Sequence, residues 1–206
     1  MLGVFFKGGN SMSAELIRKS ALKCFSIYGY EGTSLSMITE ELGMKKQSVY
    51  AHFKSKDDIF MSVLNAVLEE EEEFLKEYFG RRHKGAAECF DGFITEIKER
   101  FISEKEDNIK FILHTSYMPP EKLREEVAAK CHIYFMMIEK MVLKVVEGTT
   151  GDKNEIKARV LAMTTLVDGL FSALLYCGID VLEQKQKACF ELFVKPVYKN
   201  QEKEKR

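Results

Sequence analysis

Between residues 28 and 54 the chain is cut by three glycines, Gly29, Gly32 and Gly43. They leave two apolar-periodic segments of only about two turns each. Leu35, Ile38 and Leu42 mark one face of the first. Val49, Tyr50 and Phe53 mark the second, which spans about Lys45 to Phe53. A helix shorter than about 12 residues is marginal alone in water, so both must be held against another element. Residues 14 to 28 supply one, with Leu16, Ile17, Ala21, Cys24, Phe25 and Tyr28 at helical spacing. Gly29 is expected to end that helix, Gly32 to shape the turn, and Thr33 or Ser34 to cap the next helix. Two short helices joined by a tight glycine-containing turn make a helix-turn-helix.

The rest of the chain also reads as helical. Lys54-Ser55-Lys56 forms a brief turn, and Asp57 and Asp58 suit the start of a helix running to about Phe79. Residues 80 to 85 form a connector. Helices are expected over 86–103 and 107–117, from Pro119-Pro120 to about Val146, and over 153–177 and 180–199. No alternating strand pattern of useful length occurs. The expected fold class is all-α: an N-terminal three-helix helix-turn-helix domain over 12–56 and a larger helical domain over 57–200. Residues 1–11, with flexible Gly8-Gly9-Asn10-Ser11, are read as a disordered start and 201–206 as a disordered tail.

Charge is distributed unevenly. The net charge is -1, yet residues 12–56 hold seven Lys/Arg against four Asp/Glu, and residues 57–206 hold twenty-three against twenty-eight. A basic head on an acidic body suits a protein that meets phosphate at one end. Five scattered cysteines, none in CxxC spacing, fit a reducing cytoplasm and buried small hydrophobes; switching by oxidation of Cys131 or Cys89 is the alternative. No apolar run approaches the roughly 18 residues that span a bilayer, so no membrane partner is expected. The chain has no GxSxG, HExxH, P-loop or dinucleotide-binding glycine pattern, and His52, His83, His114 and His132 share no metal-ligand spacing. Neither catalysis, a cofactor nor a metal is expected.

In a helix-turn-helix the second helix enters the major groove. Lys45, Lys46, Gln47 and Ser48 stand at its start, where lysine can bond guanine acceptors and glutamine can pair with adenine. Ala51, one turn on, can touch a thymine methyl. Tyr50, His52 and Lys56 are placed for phosphates, as are Thr33 and Ser34 at the preceding helix N-terminus. The expected partner is double-stranded DNA.

This stretch resembles the TetR/AcrR family of regulators. The likeness runs through Ala21 to Phe25, Gly29-Tyr30-Glu31-Gly32-Thr33-Ser34-Leu35, Ile38, Leu42-Gly43 and Val49-Tyr50-Ala51-His52-Phe53-Lys54-Ser55-Lys56, over about residues 14 to 62. One departure stands out: where the family commonly opens the recognition helix with Ser or Thr, this chain has Lys45, which offers no acceptor oxygen. Gln47 is also larger than the family's usual residue there. Both differences imply an operator of the chain's own.

The resemblance implies a transcriptional regulator, most simply a repressor, that binds a palindromic operator as a homodimer and is released by a small-molecule effector. It implies a dimer seam from the last two helices, for which the apolar candidates are Val160, Met163, Val167, Phe171, Leu174, Leu192 and Phe193. It also implies a pocket in the body. Phe90, Phe93, Phe111, His114, Tyr117, Met118, Tyr134 and Phe135 are the candidate lining, suited to a largely apolar ligand, with His114 and Tyr117 as the orienting polar pair. Asp168, on an apolar stretch, is expected to be a buried hydrogen-bonded group or a pocket anion. A helix-turn-helix regulator without any small-molecule ligand is the remaining alternative.

Overall fold

The computed structural model describes residues 8–103 and 107–194; the side chains of residues 8–11 and of Phe193 lie outside that description, as do residues 1–7 and the tail 201–206. The described residues contain helices and turns and no strand. In order they are α1 (Gly8–Gly32), α2 (Leu35–Glu41), α3 (Lys46–Tyr50), α4 (Lys56–Gly80), α5 (Ala86–Ile102), α6 (Asn108–Tyr117), a 3₁₀ turn (Glu121–Leu123), α7 (Arg124–Glu147), α8 (Lys153–Tyr176), α9 (Ile179–Cys189) and a π-helical turn (Phe190–Val194).

Three of these differ from expectation. The first helix begins at Gly8, so the segment read as flexible has helical backbone. Helical hydrogen bonding continues past Gly29, but that residue has φ 67° and ψ -179°, so the regular helix breaks where the sequence placed its end. α3 is shorter than the segment 45–53: Lys45 is extended, and after Tyr50 the chain closes in turns whose His52 and Phe53 amides donate to the Val49 carbonyl, each at 2.9 Å. The last helix also changes character early, giving way at Phe190 to a π turn.

The chain falls into two compact units. The first holds residues up to Glu69 together with Lys110–Cys131; the second holds Glu70–Ile109 and the residues from His132 on. Compactness therefore divides α4 and α7 internally instead of at the turn before α4. In the first unit Ile17, Ile38, Val49, Ile59 and Leu64 are completely buried. Phe60 is its aromatic hub, 5.0 Å edge-on from Phe25 and 5.3 Å from Phe111 of α6. Edge and tilted contacts of this kind add about 0.5–1.5 kcal/mol each beyond area burial.

In the second unit Phe93 of α5 packs 5.1 Å from Phe79 and 6.3 Å from Phe171 of α8, and the Tyr78 hydroxyl donates to the Cys89 carbonyl at 2.8 Å. The fully buried Glu71 receives two hydrogen bonds from Arg100, at 3.0 and 2.5 Å, while the guanidinium lies 4.0 Å from the Phe74 ring. α8 has an 18-residue window of mean hydropathy 1.5, long and apolar enough to cross a membrane by length and composition, contrary to the sequence expectation. Its buried residues, however, fall on one helical face, Val160, Met163, Val167, Leu170, Phe171 and Leu174, as in a core helix.

Candidate nucleic-acid interface

The first three helices fix one another through polar contacts as well as packing. Ser34 is extended and its hydroxyl accepts from the Met37 amide at 3.3 Å, capping α2. The Ser20 hydroxyl of α1 lies 2.9 Å from both the Ile38 carbonyl and a Glu41 carboxylate oxygen. Lys23 donates to the same carboxylate, and this bond, the largest influence, holds the Glu41 carboxyl below the usual range against the opposing effect of burial, with the Ser20 hydroxyl adding a smaller lowering. Gly43, at φ 61°, turns the chain from α2 toward α3. Val49, 0 % exposed, and Phe53 then anchor α3 by its inner face.

That anchoring decides which residues look outward. Lys45, Lys46, Gln47, Tyr50 and Ala51 are exposed, whereas Ser48 and His52 are half-buried. Lys46, Gln47 and Tyr50 share one helical face, opposite Val49. Lys45 makes no side-chain capping bond, as its chemistry requires. Elsewhere in the head Arg18 pairs with Glu15 and Lys23 with Glu41, while Lys19 of α1 is exposed and has no ion-pair partner among the described residues. Lys45, Lys46 and Lys54 are exposed and have no ion-pair partner among the described residues. Free positive charge and exchangeable polar donors thus gather along one short helix, as phosphate attraction and base-edge reading require.

Two expected DNA ligands are turned elsewhere. Thr33 is 2 % exposed and its hydroxyl donates to the Gly29 carbonyl at 2.7 Å, so it closes the break in α1 and presents no side chain to phosphate. Lys56 donates to the Tyr30 carbonyl at 2.8 Å and the Thr33 carbonyl at 3.1 Å, and its ammonium lies 4.1 Å from the Tyr30 ring centre. The physical cause is local: helix ends leave carbonyls without intrahelical partners, and a lysine at the start of α4 reaches them.

Three residues outside the expected set complete this corner. The Tyr30 hydroxyl donates to Asp57, and Lys122, from the 3₁₀ turn, donates to the other oxygen of the same carboxylate. Lys122 first, then Tyr30, hold the Asp57 carboxyl below the usual carboxylate range. Burial, and then the hydrogen bond to Asp57, push the Tyr30 hydroxyl well up. Asp57 was visible in the sequence as a helix-start acid. Its partners, 27 residues before it and 65 after, had no local signal.

The eight expected pocket residues are divided between the units. Phe111, His114, Tyr117 and Met118 belong to the first, and Phe90, Phe93, Tyr134 and Phe135 to the second. Phe111 and Phe93 are spent on the aromatic cores already described, and Met118 is 59 % exposed. His114 is half-buried, and desolvation lowers its pKa. Asp168 is exposed on α8, not buried. The expected dimer residues Val160, Met163, Val167, Phe171 and Leu174 are all turned into the chain's own core. The outward face of α8 instead carries Leu161, Thr165 and Tyr176, and Val181 and Leu192 are exposed beyond it. Phe193 has its side chain outside the described residues. Cys89 and Cys131 are buried, and burial pushes the Cys89 thiol up to about 12 and raises that of Cys131, which opposes the thiolate an oxidation switch needs.

Comparison with known proteins agrees with this geometry. Residues 17–63 match the model of the bacterial regulatory proteins, tetR family. The chain is 41% identical over 54 residues to the uncharacterized HTH-type transcriptional regulator YezE of Bacillus subtilis, covering 26% of this chain and 28% of that protein. The match thus spans about a quarter of the relative's length. A TetR-family transcriptional regulator from Agrobacterium tumefaciens superposes with TM-score 0.68 at 18% identity, over 93% of this chain and 98% of that one. The transcriptional regulator FadR from Bacillus subtilis, solved in complex with stearoyl-CoA, superposes with TM-score 0.62 at 15% identity, over 87% and 97% of the two chains. The N-terminal segment belongs to the tetR family, and the all-helical fold with a larger helical body is shared over most of the chain.

Proposed function

We propose that the protein is a ligand-responsive transcriptional repressor that binds a palindromic operator as a homodimer and is released by a small, largely apolar effector. The carrying observation is the outer face of α3, where Lys45, Lys46, Gln47 and Tyr50 are exposed and the lysines lack ion-pair partners among the described residues, on a helix anchored by Val49. Lys46 and Gln47 read bases; Tyr50 and Lys54 hold phosphates; Ser34 brings the α2 N-terminus to the backbone. The proposed activity is binding, not catalysis.

One α3 reads too few bases for specificity. A two-fold dimer reads two half-sites about 34–36 Å apart, or a multiple of that. The outward face of α8 and the exposed apolar residues of α9 and the π turn are the self-complementary surface proposed for it. An effector that binds one conformation of the body better than the other changes the spacing of the heads. FadR, of the same fold, was solved with stearoyl-CoA; its ligand is evidence for a pocket in that relative and motivates the effector here.

Selection of bound sequences from a random DNA pool by the purified protein tests this reading. It should return an inverted repeat, and Lys46→Ala or Gln47→Ala should change its sequence, each good base contact being worth about 1–3 kcal/mol. Recovery of no enriched sequence, or of one unaffected by either substitution, would remove α3 as the reader.

A further inference from the structure

Two buried residues at the end of the helix-turn-helix set the geometry of its outer surface. Val49 and Phe53 are both turned inward, at 0 % and 6 % exposure, and the Phe53 amide donates to the Val49 carbonyl at 2.9 Å. Each residue of an α-helix turns the chain by about 100°, so the residues two before and two after Val49 stand nearly opposite it. Those are Gln47 and Ala51, both exposed. Ala51 keeps helical backbone, φ -70° and ψ -19°, so the line holds past Tyr50, where α3 ends. An inner pair, Val49 and Phe53, is thus backed by an outer pair, Gln47 and Ala51. Lys46 and Tyr50 flank the outer line on one side, and the half-buried Ser48 flanks it on the other.

Charge separates the roles of these residues. Lys45, Lys46 and Lys54 are exposed cations without ion-pair partners among the described residues, and attraction to phosphate accounts for them. Gln47 and Ala51 are uncharged, and a methyl has nothing to offer a phosphate. What Ala51 offers is an apolar contact and a short side chain, which lets the helix backbone come close to the floor of a major groove. The thymine C5-methyl is the apolar group that bases present there. A cytosine in its place would set its amino donor against the Ala51 methyl with no acceptor, and a donor left unpaired on burial is costly. Gln47 carries a donor and an acceptor side by side, and its amide has no hydrogen-bond partner among the described residues. Adenine N7 and N6 match that pair bidentately. Side chains four apart on a helix have Cβ atoms about 5–6 Å apart, against about 3.4 Å per base along a strand. The two contacts therefore fall on base pairs about one or two steps apart.

We propose that each operator half-site carries an adenine read edge-on by Gln47 and, about one or two base-pair steps away, a thymine whose methyl packs on Ala51. The inference deepens the DNA-binding reading given above and rests on it, because it assigns bases to a helix which that reading puts in the major groove. It makes Gln47 and Ala51 the specificity-determining pair, with Lys46 contributing from the flank.

The test uses the full chain and the half-site it selects from a random DNA pool, with two base analogues introduced one position at a time. 7-Deazaadenine removes the N7 acceptor, and uracil in place of thymine removes the methyl; both keep Watson–Crick pairing. In the wild type, 7-deazaadenine at one adenine should weaken binding by about tenfold. Uracil at one thymine within about two steps of it should weaken binding by about fourfold, the worth of one buried methyl. The first loss should vanish in Gln47→Ala and the second in Ala51→Gly, each a change at an exposed position. The wild-type scan stands even where Ala51→Gly does not fold, and Ala51→Ser then supplies the second measurement: a hydroxyl facing the same base should cost the selected pool its thymine there. Insensitivity of every adenine or of every thymine, sensitive positions more than about two steps apart, or losses that persist in the variants would each overturn the proposal. An inverted repeat that changes with Lys46→Ala but resists both analogues would overturn this assignment alone and leave α3 as the reader. Recovery of no enriched sequence would remove the reader and the assignment with it.

Discussion

Lys56 turns its ammonium back onto Tyr30, donating to that residue's carbonyl at 2.8 Å while lying 4.1 Å from the centre of its ring. The same ammonium also takes the Thr33 carbonyl, so the start of α4 is tied to the turn between α1 and α2. The pattern of residues 49–56 suggested a phosphate clamp. The geometry makes Lys56 a strut for the helix-turn-helix, and the two roles have different experimental signatures.

Lys56→Ala should destabilise the head by on the order of 2 kcal/mol, the scale for partly buried hydrogen bonds from a charged group. The salt dependence of DNA binding should keep its slope, because no phosphate contact is lost. A clamp would behave oppositely: little change in thermal unfolding and a slope reduced by about one. Measuring the melting temperature and the slope on the same preparation separates them.

Asp57 links Tyr30 and Lys122, and its pKa is lowered chiefly by the hydrogen bond from Lys122. A depressed folded-state pKa contributes stability that is present above the unfolded value near 3.8 and is lost as pH falls through the folded value. Lys122→Ala should therefore lower stability at neutral pH, and its difference from wild type should vanish in acid once Asp57 is protonated in both. Lys122 is 70 % exposed, so salt should shrink the effect. Unfolding curves from pH 7 to below pH 4 test it; a difference that persists undiminished into acid would mean that Lys122 acts otherwise than through Asp57.

What could be read from the sequence followed from spacing along the chain, and what was missed depended on the third dimension. Gly29, Gly43 and the Val49/Phe53 pair announced the short helices because backbone conformation and helical periodicity are local properties. Lys45 was read correctly as a residue unable to cap, for the same reason. Lys56 was misplaced because its partners are 26 and 23 residues away. The apolar stripe of α8 was legible as a stripe, but a hydrophobic face looks alike whether it meets its own core or a second copy, and Met163 and Val167 meet the core.

That distinction gives a prediction on assembly. Leu161 is 54 % exposed on α8 while Met163, two residues on, is 7 % exposed. Leu161→Arg should place a charge in the proposed seam and yield a folded monomer, seen as halved mass in sedimentation with helical circular dichroism retained. Met163→Arg should instead bury an unpaired charge and collapse the fold. A Leu161→Arg protein with unchanged mass would move the seam elsewhere, and a further substitution at Tyr176, exposed 15 residues later on α8, would then be uninformative.

Tyr134 is completely buried, and its hydroxyl has no hydrogen-bond partner among the described residues, although the charges of Glu71 and Arg100 act on it. Burial raises its pKa well above the ordinary value, so the hydroxyl keeps its proton. A buried donor left unsatisfied costs about 1–3 kcal/mol. Tyr134→Phe removes that cost while keeping the ring and should therefore leave stability unchanged or raise it. The neighbouring pair should respond the other way: Glu71→Ala removes the buried carboxylate that takes two hydrogen bonds from Arg100, whose side chain is only 14 % exposed, and should lower stability by about 3 kcal/mol. Denaturant unfolding of the two variants gives both values. A loss of more than about 1 kcal/mol in Tyr134→Phe would show that the hydroxyl is bonded in solution, to ordered water or a small polar molecule. The buried Glu71–Arg100 pair would then border an occupied polar site in place of a sealed core.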